Sequence, residues 1–426
     1  MRAFVLILAF ILAVLPAEGA GLPRRAMLGA AIADGAPGAR IEQVFAGSSA
    51  EAAGLKPGDV VVGIDGAPVD GPDDLLAMLA GRRAGEDVTL TLVGTGGKRV
   101  LAVTLLGAPQ ESAPDIDTIY GDVAVEGARR RTILTRPKGA ARLPGVLFVG
   151  GIGCYPVDAP LNGEDSYRRL AGEITRAGFV TMRVEKSGVG DSEGQPCMET
   201  DLDAEVAGYA AGLEALKARD DVDPERIFIV GHSIGGIVGP LVAKGAGVRG
   251  VVAIATVGST WFEYELENSR RQLRLAGDGA EAIAAELLLK ERCLHRLLIA
   301  REARAVILAD EEACGGQLAY PASDAYLQQI AGLNFPALWT GLDAEALLVY
   351  GAADFVTSRE EHLLLFDALN AARPNRAEFV EIPDMDHNLT RVADQATSFG
   401  NNGSGTVAPF HEGLAEIVTR WLGARS

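Results

Sequence analysis

Histidine and cysteine are scarce in this chain, and neither is clustered. The five histidines form no H-x-x-H or H-x-x-x-H pair, and the four cysteines form no C-x-x-C. A structural zinc site draws on such spacings, so no metal is expected, and no cofactor motif stands out. Basic residues are in deficit: 39 Lys and Arg against 57 Asp and Glu, a formal net charge of −18. No basic stripe occurs, which argues against a nucleic-acid binder; the acidity reads as a solubility device. After the first 20 residues no apolar stretch is long enough for a membrane helix, so no span is expected once a leader is removed.

The leader is the one long apolar run. "MRAFVLILAFILAVLPAEGA" places Arg2 before an apolar stretch from Ala3 to Leu15. Pro16 breaks it, and Ala17-Glu18-Gly19 supplies small residues at cleavage-site spacing. This pattern predicts a signal peptide over residues 1–19, cleaved after Gly19, and a periplasmic or secreted product. An uncleaved anchor is the alternative. No cysteine follows the run, which argues against a lipoprotein. Export would let disulfides persist, and four cysteines allow three pairings. Cys154 and Cys197 follow different expected strands, and Cys293 and Cys314 share one helical region. These two pairs are favoured over four buried free thiols.

A length of 426 residues is more than one ordinary core holds and suggests two domains. Residues 24–107 alternate short apolar runs with glycine and proline turns, as a small β-rich module does. Ser49 is placed to cap a short helix, Ala50–Ala53, and Asp59 leads into a strand, Val60–Ile64. The stretch "GSSAEAAGLKPGDVVVGIDGAPV" resembles a PDZ domain, and the likeness covers nearly the whole module. It implies that the loop Leu28-Gly29-Ala30 offers backbone N–H groups to the carboxylate of a peptide C-terminus. The competing expectation is a module that packs on its neighbour and binds nothing free. Residues 108–118, rich in proline and polar groups, read as a linker.

From about residue 119 strands and helices alternate, which predicts an α/β fold: a mostly parallel sheet with helices on both faces. Residues 259–342 contain no strand pattern and read as a helical lid inserted between two sheet strands. In "RIFIVGHSIGGIVGPLVAKGA" a buried apolar run meets Gly231-His232-Ser233-Ile234-Gly235, then a helix. This is a G-x-S-x-G nucleophile elbow in the strand–turn–helix setting it requires. Residues 119–426 thereby resemble the α/β-hydrolase family, which places an acid and then a histidine after the serine. Asp354, after the strand in "ALLVYGAADFVT", and His387, in "EIPDMDHNLT", occupy those places. Asp384 and Asp386 compete as the acid but read as loop-capping carboxylates. His232, His295, His362 and His411 read as packing or surface residues. The backbone N–H groups of Ile234 and Ile152 are the expected oxyanion donors, Ile152 from the glycine-rich loop "GGIGC". In "RVEKSGVGDSEG", Asp191 and Ser192 read as turn residues, and Glu185 and Lys186 as possible wall residues of the site.

The expected function is therefore that of an exported serine hydrolase. It would cleave an ester by acyl transfer to Ser233, with His387 as base and Asp354 as the orienting acid. A peptidase of the aminopeptidase or prolyl-oligopeptidase kind, its PDZ module positioning peptide, is the second expectation. A binding protein on a disabled hydrolase scaffold is the third.

Overall fold

A computed structural model of the chain describes residues 21–94, 97–139 and 142–426. The leader read from residues 1–19 lies outside the described residues. The first module is a sheet in which strand Ala30–Asp34 lies at one edge and pairs antiparallel with Ala39–Val44. A helix, Pro72–Ala80, buries Leu75 and Leu79 against this sheet. The module closes on itself where Ala26–Met27 pairs with Leu106–Gly107. Its short helix is one residue earlier than the sequence suggests. It spans Ser49–Ala52, and Ser48 is the cap, accepting the Glu51 N–H at 3.1 Å. The Ser49 hydroxyl is engaged elsewhere: it donates to the Met27 carbonyl at 2.6 Å and accepts the Leu106 N–H at 2.8 Å. Tertiary partners thus outcompete the local cap.

The second module holds an eight-stranded sheet. Its strands are β1 (Ile116–Val125), β2 (Ala128–Pro137), β3 (Leu143–Val149), β4 (Val180–Val184), β5 (Val222–His232), β6 (Gly250–Ile254), β7 (Glu345–Gly351) and β8 (Ala377–Ile382). Their spatial order is β8-β7-β6-β5-β3-β4-β2-β1. The strands from β3 onward pair parallel, and β1 and β2 form an antiparallel hairpin at one edge. β1 opens at Ile116, inside the stretch read as linker. It is an edge strand, and Asp117 and Thr118 are both half-buried, so they belong to it without an apolar signature.

Strand β6 and the second half of β5 are buried on both faces, which is why they read as unbroken apolar runs. Helices lie on both sides. Asp165 caps Ser166–Arg176, Asp201 caps Leu202–Lys217, and Ser358 caps Arg359–Ala372. Between β6 and β7 every regular element is helical, from Trp261–Ala276 to Phe335–Thr340. A disulfide, Cys293–Cys314, ties two of these helices. The other, Cys154–Cys197, joins the segment after β3 to the segment after β4.

The two modules touch. Asp191, 3% exposed, takes the Arg24 guanidinium at 2.5 Å, the Arg25 N–H at 2.6 Å and the Arg131 guanidinium at 3.0 Å. The Ser192 hydroxyl accepts the Arg131 N–H at 2.9 Å. Asp191 thereby anchors the modules to each other, and Ser192 holds the Arg131 backbone beside it, roles beyond the turn chemistry read for them.

Candidate active site

Strand β5 ends in the elbow. Ser233 sits at its tip with φ +56°, a left-handed backbone that a side-chain-bearing residue adopts only under strain. The bend is that tight because glycines flank it. A Cβ on Gly231 would lie 2.2 Å from the Gly235 carbonyl oxygen, and one on Gly235 would lie 2.2 Å from that of Val149. The helix Gly235–Ala243 then starts directly behind the serine.

Two loops from the other strand ends meet this tip. The turn after β7 carries Asp354, and the loop after β8 carries His387. The Ser233 hydroxyl lies 3.2 Å from His387 Nε2, and His387 Nδ1 lies 2.9 Å from Asp354 Oδ2. Asp354 is fully buried. Burial opposes its ionisation, but the His387 ring, the Thr357 hydroxyl at 2.6 Å and the Thr357 N–H at 3.0 Å more than offset this. Its carboxyl is held below the ordinary range. An ionised Asp354 keeps the proton on His387 Nδ1 and leaves Nε2 free to accept from Ser233.

The other acids are spoken for. Asp386 Oδ1 accepts the Asn388 and Thr390 N–H groups at 3.0 and 2.9 Å, and Asp384 pairs with His411 Nε2 at 2.9 Å. His362 is a core residue whose Nε2 accepts the Thr256 N–H at 3.0 Å. His295 is exposed on the lid.

His232 does more than pack. Its Nε2 lies 2.7 Å from the His387 carbonyl oxygen, which can only accept, so Nε2 carries the proton. Its Nδ1 then accepts the Tyr167 hydroxyl at 2.7 Å, and the Tyr167 oxygen in turn accepts the Gly151 N–H at 3.1 Å. Burial, with the His387 ring beside it, pushes the His232 pKa down to about 3, so the ring stays neutral. One buried chain of hydrogen bonds therefore joins the backbone of His387 to the glycine-rich loop. Neither the Tyr167 nor the His232 contact has a signature in residue spacing.

Ile152 and Ile234 line the cavity that also holds Ser233 and His387. Among the described residues neither of their N–H groups has a protein acceptor. The cavity measures about 410 Å³, and Trp261, Tyr264 and Tyr320 line it from the helical insertion. Its walls are mostly apolar and aromatic, and Asp165, Ser166 and Asn388 add polar groups beside Ser233 and His387. Lys186 is not among the wall residues. It is buried, and its ammonium donates to the Gly151 carbonyl at 2.8 Å. Glu185 is also buried, which raises its pKa to about 7 despite N–H bonds from Val157 and Asp158.

The family model described as serine aminopeptidase, S33, matches residues 164–391, a span that carries Ser233, Asp354 and His387. The chain belongs to that family. A PDZ domain model matches residues 40–94 of this S33-family chain. Esterase EstD of Thermotoga maritima is 23% identical over 303 residues, 71% of this chain and 66% of that protein. The chain thus spans just under two thirds of the length of the curated relative it matches. Among solved structures, Est1E from Butyrivibrio proteoclasticus with bound ferulic acid aligns at 15% identity and TM-score 0.48, covering 72% of this chain and 98% of that one. A dipeptidyl aminopeptidase IV homologue from Bacteroides ovatus aligns at 16% identity and TM-score 0.46, covering 80% of this chain and 40% of that one.

Proposed function

We propose that this chain hydrolyses carboxylic esters by acyl transfer through Ser233. The observation that carries the reading is the serine–imidazole–carboxylate line, 3.2 and 2.9 Å, ending on a buried and ionised Asp354. His387 takes the Ser233 proton as the hydroxyl attacks the acyl carbon, and returns it to the leaving alcohol. The Ile234 and Ile152 N–H groups stabilise the oxyanion of each tetrahedral intermediate. Water then attacks the acyl carbon while His387 takes one of its protons; the bond to Ser233 breaks, His387 returns the proton to the Ser233 oxygen, and the acid leaves. The apolar cavity under Trp261, Tyr264 and Tyr320 takes the acyl group. Among the described residues no helix is long and apolar enough to cross a membrane.

The test is a turnover screen of the purified protein over aryl esters of graded acyl length and over aminoacyl and peptidyl amides, with Ser233→Ala as control. Ester turnover abolished by that substitution supports the reading. Turnover of amides alone makes the protein a peptidase, and turnover of neither class removes the activity altogether.

Export and peptide capture belong to the same proposal. The two disulfides, Cys154–Cys197 and Cys293–Cys314, favour an oxidising compartment, in line with the leader sequence. In the first module Leu28 is buried, Gly29 has φ +74°, and the following strand Ala30–Asp34 lies at the sheet edge beside Pro72–Ala80. That edge supports the addition of a peptide C-terminus, with the Leu28-Gly29-Ala30 loop at its carboxylate.

A further inference from the structure

Lys186 stands outside the cavity, yet it touches the peptide unit that serves it. Its side chain is 8% exposed and has two partners: the Glu205 carboxylate at 3.0 Å and the Gly151 carbonyl at 2.8 Å. The carbon of that carbonyl is bonded to the nitrogen of Ile152. The oxygen that takes the ammonium and the Ile152 N–H proposed as an oxyanion donor therefore belong to one amide. A cation on an amide oxygen draws electron density from the nitrogen and strengthens the N–H as a donor. The effect grows where water is excluded.

We propose that Lys186 is a positioning residue of the oxyanion site. Its ammonium fixes the orientation of the Gly151–Ile152 peptide and polarises it, so that the Ile152 N–H meets the negative charge developing on the substrate oxygen. This rests on the reading of Ser233 as the nucleophile. The rest of the loop is held independently. The Tyr209 oxygen accepts the Gly150 N–H at 3.2 Å, the Tyr167 oxygen accepts the Gly151 N–H at 3.1 Å, and the Cys154–Cys197 disulfide ties down the far end. Those contacts fix where the loop runs. Among the described residues only Lys186 donates to the carbonyl of the peptide that bears the Ile152 N–H. Stability alone does not call for this arrangement, because a buried ion pair contributes little beyond a well-packed apolar pair.

The experiment compares the wild type with Lys186→Met and with the double variant Lys186→Met/Glu205→Gln. The double variant leaves no orphaned charge and decides the matter should the single variant fail to fold. Three quantities are read: kcat and KM on an aryl ester, the affinity for an arylboronic acid that forms a tetrahedral adduct on Ser233, and the melting temperature. We expect kcat to fall about 10- to 100-fold, boronate affinity to fall by a similar factor, and KM to stay within about threefold. A double variant with wild-type kcat and boronate affinity overturns the proposal. So does a loss of kcat matched by a rise in KM or a collapse of the melting temperature, which marks a merely structural role. A wild type that neither turns over esters nor takes the boronate defeats the reading of Ser233 instead, and it does so without any variant.

Discussion

Replacing Asp354 by asparagine exchanges one carboxylate oxygen for an NH₂ group, removing a charge at almost no change of volume, yet the contacts of the carboxylate dictate a large loss. Oδ1 accepts two backbone N–H groups, from Val356 at 2.6 Å and Thr357 at 3.0 Å. Oδ2 accepts the Thr357 hydroxyl at 2.6 Å and faces His387 Nδ1 at 2.9 Å. An asparagine must give its oxygen to the two N–H groups, since an amide nitrogen there would set donor against donor. Its NH₂ then occupies the Oδ2 place, where the Thr357 hydroxyl can rotate to accept from it. His387 Nδ1 becomes an acceptor as well, so the proton moves to Nε2, and a protonated Nε2 cannot take the Ser233 proton. A tautomer inversion of this kind lowers kcat by about 10⁴-fold, or roughly 5 kcal/mol of transition-state stabilisation. The assay is kcat on an aryl ester near neutral pH, with the thermal unfolding curve as a control for folding. Asp354→Asn activity within tenfold of wild type, in a protein that melts normally, would refute the reasoning. It would mean that the carboxylate does not set the tautomer.

Other perturbations test other parts of the structure. Gly235→Ala puts a Cβ 2.2 Å from the Val149 carbonyl oxygen, backbone against backbone; esterase activity should vanish and the melting temperature fall by several degrees, by about 3 kcal/mol or more of strain and overpacking. Removing the Cys154–Cys197 bridge by paired serine substitution frees a loop with a sequence separation of 43, which chain entropy rates at about 4 kcal/mol, read by urea unfolding. Glu185, raised to about 7 by burial, stays neutral in the folded chain while the unfolded chain ionises from about pH 4.5. Its contribution to stability is therefore fully present below about pH 4.5 and is lost as pH rises to about 7, on the order of 3 kcal/mol. Glu185→Gln should flatten that part of the stability–pH curve. His232, lowered to about 3, acts with the opposite sign: the stability linked to it is present above pH 6.5 and is lost as acid is added toward pH 3, a loss that His232→Asn should reduce.

How much of this was legible in the sequence follows from what each feature depends on. The elbow was legible because its chemistry is local: a buried strand, two glycines and a serine leave few other backbones. Asp354 and His387 were legible because the fold orders its strands along the chain, so each residue follows a recognisable apolar run. The two disulfides could be ranked from the elements their cysteines follow. The Tyr167–His232–His387 chain and the Lys186–Gly151 contact were not legible. They join residues up to 155 positions apart, and no periodicity records which loops approach each other. The aromatic lid wall of Trp261, Tyr264 and Tyr320 was hidden likewise: helical spacing shows that these segments are helices, not which face covers the serine. Asp191 and Ser192 fitted a turn so well that their second role, holding Arg24 and Arg131, left no trace. The Ser48 cap was missed because two adjacent serines offer the same local chemistry, and only contacts with Met27 and Leu106 tell them apart.

The most direct test of the account is to catch the acyl group on the enzyme. The protein is mixed with an aryl ester whose acyl-enzyme turns over slowly, quenched in acid, digested and weighed by mass spectrometry. The account predicts the acyl mass on the peptide that contains Ser233, appearing with a burst of released phenol and absent from Ser233→Ala. Continued ester hydrolysis with an unmodified Ser233 peptide at every time point would contradict it.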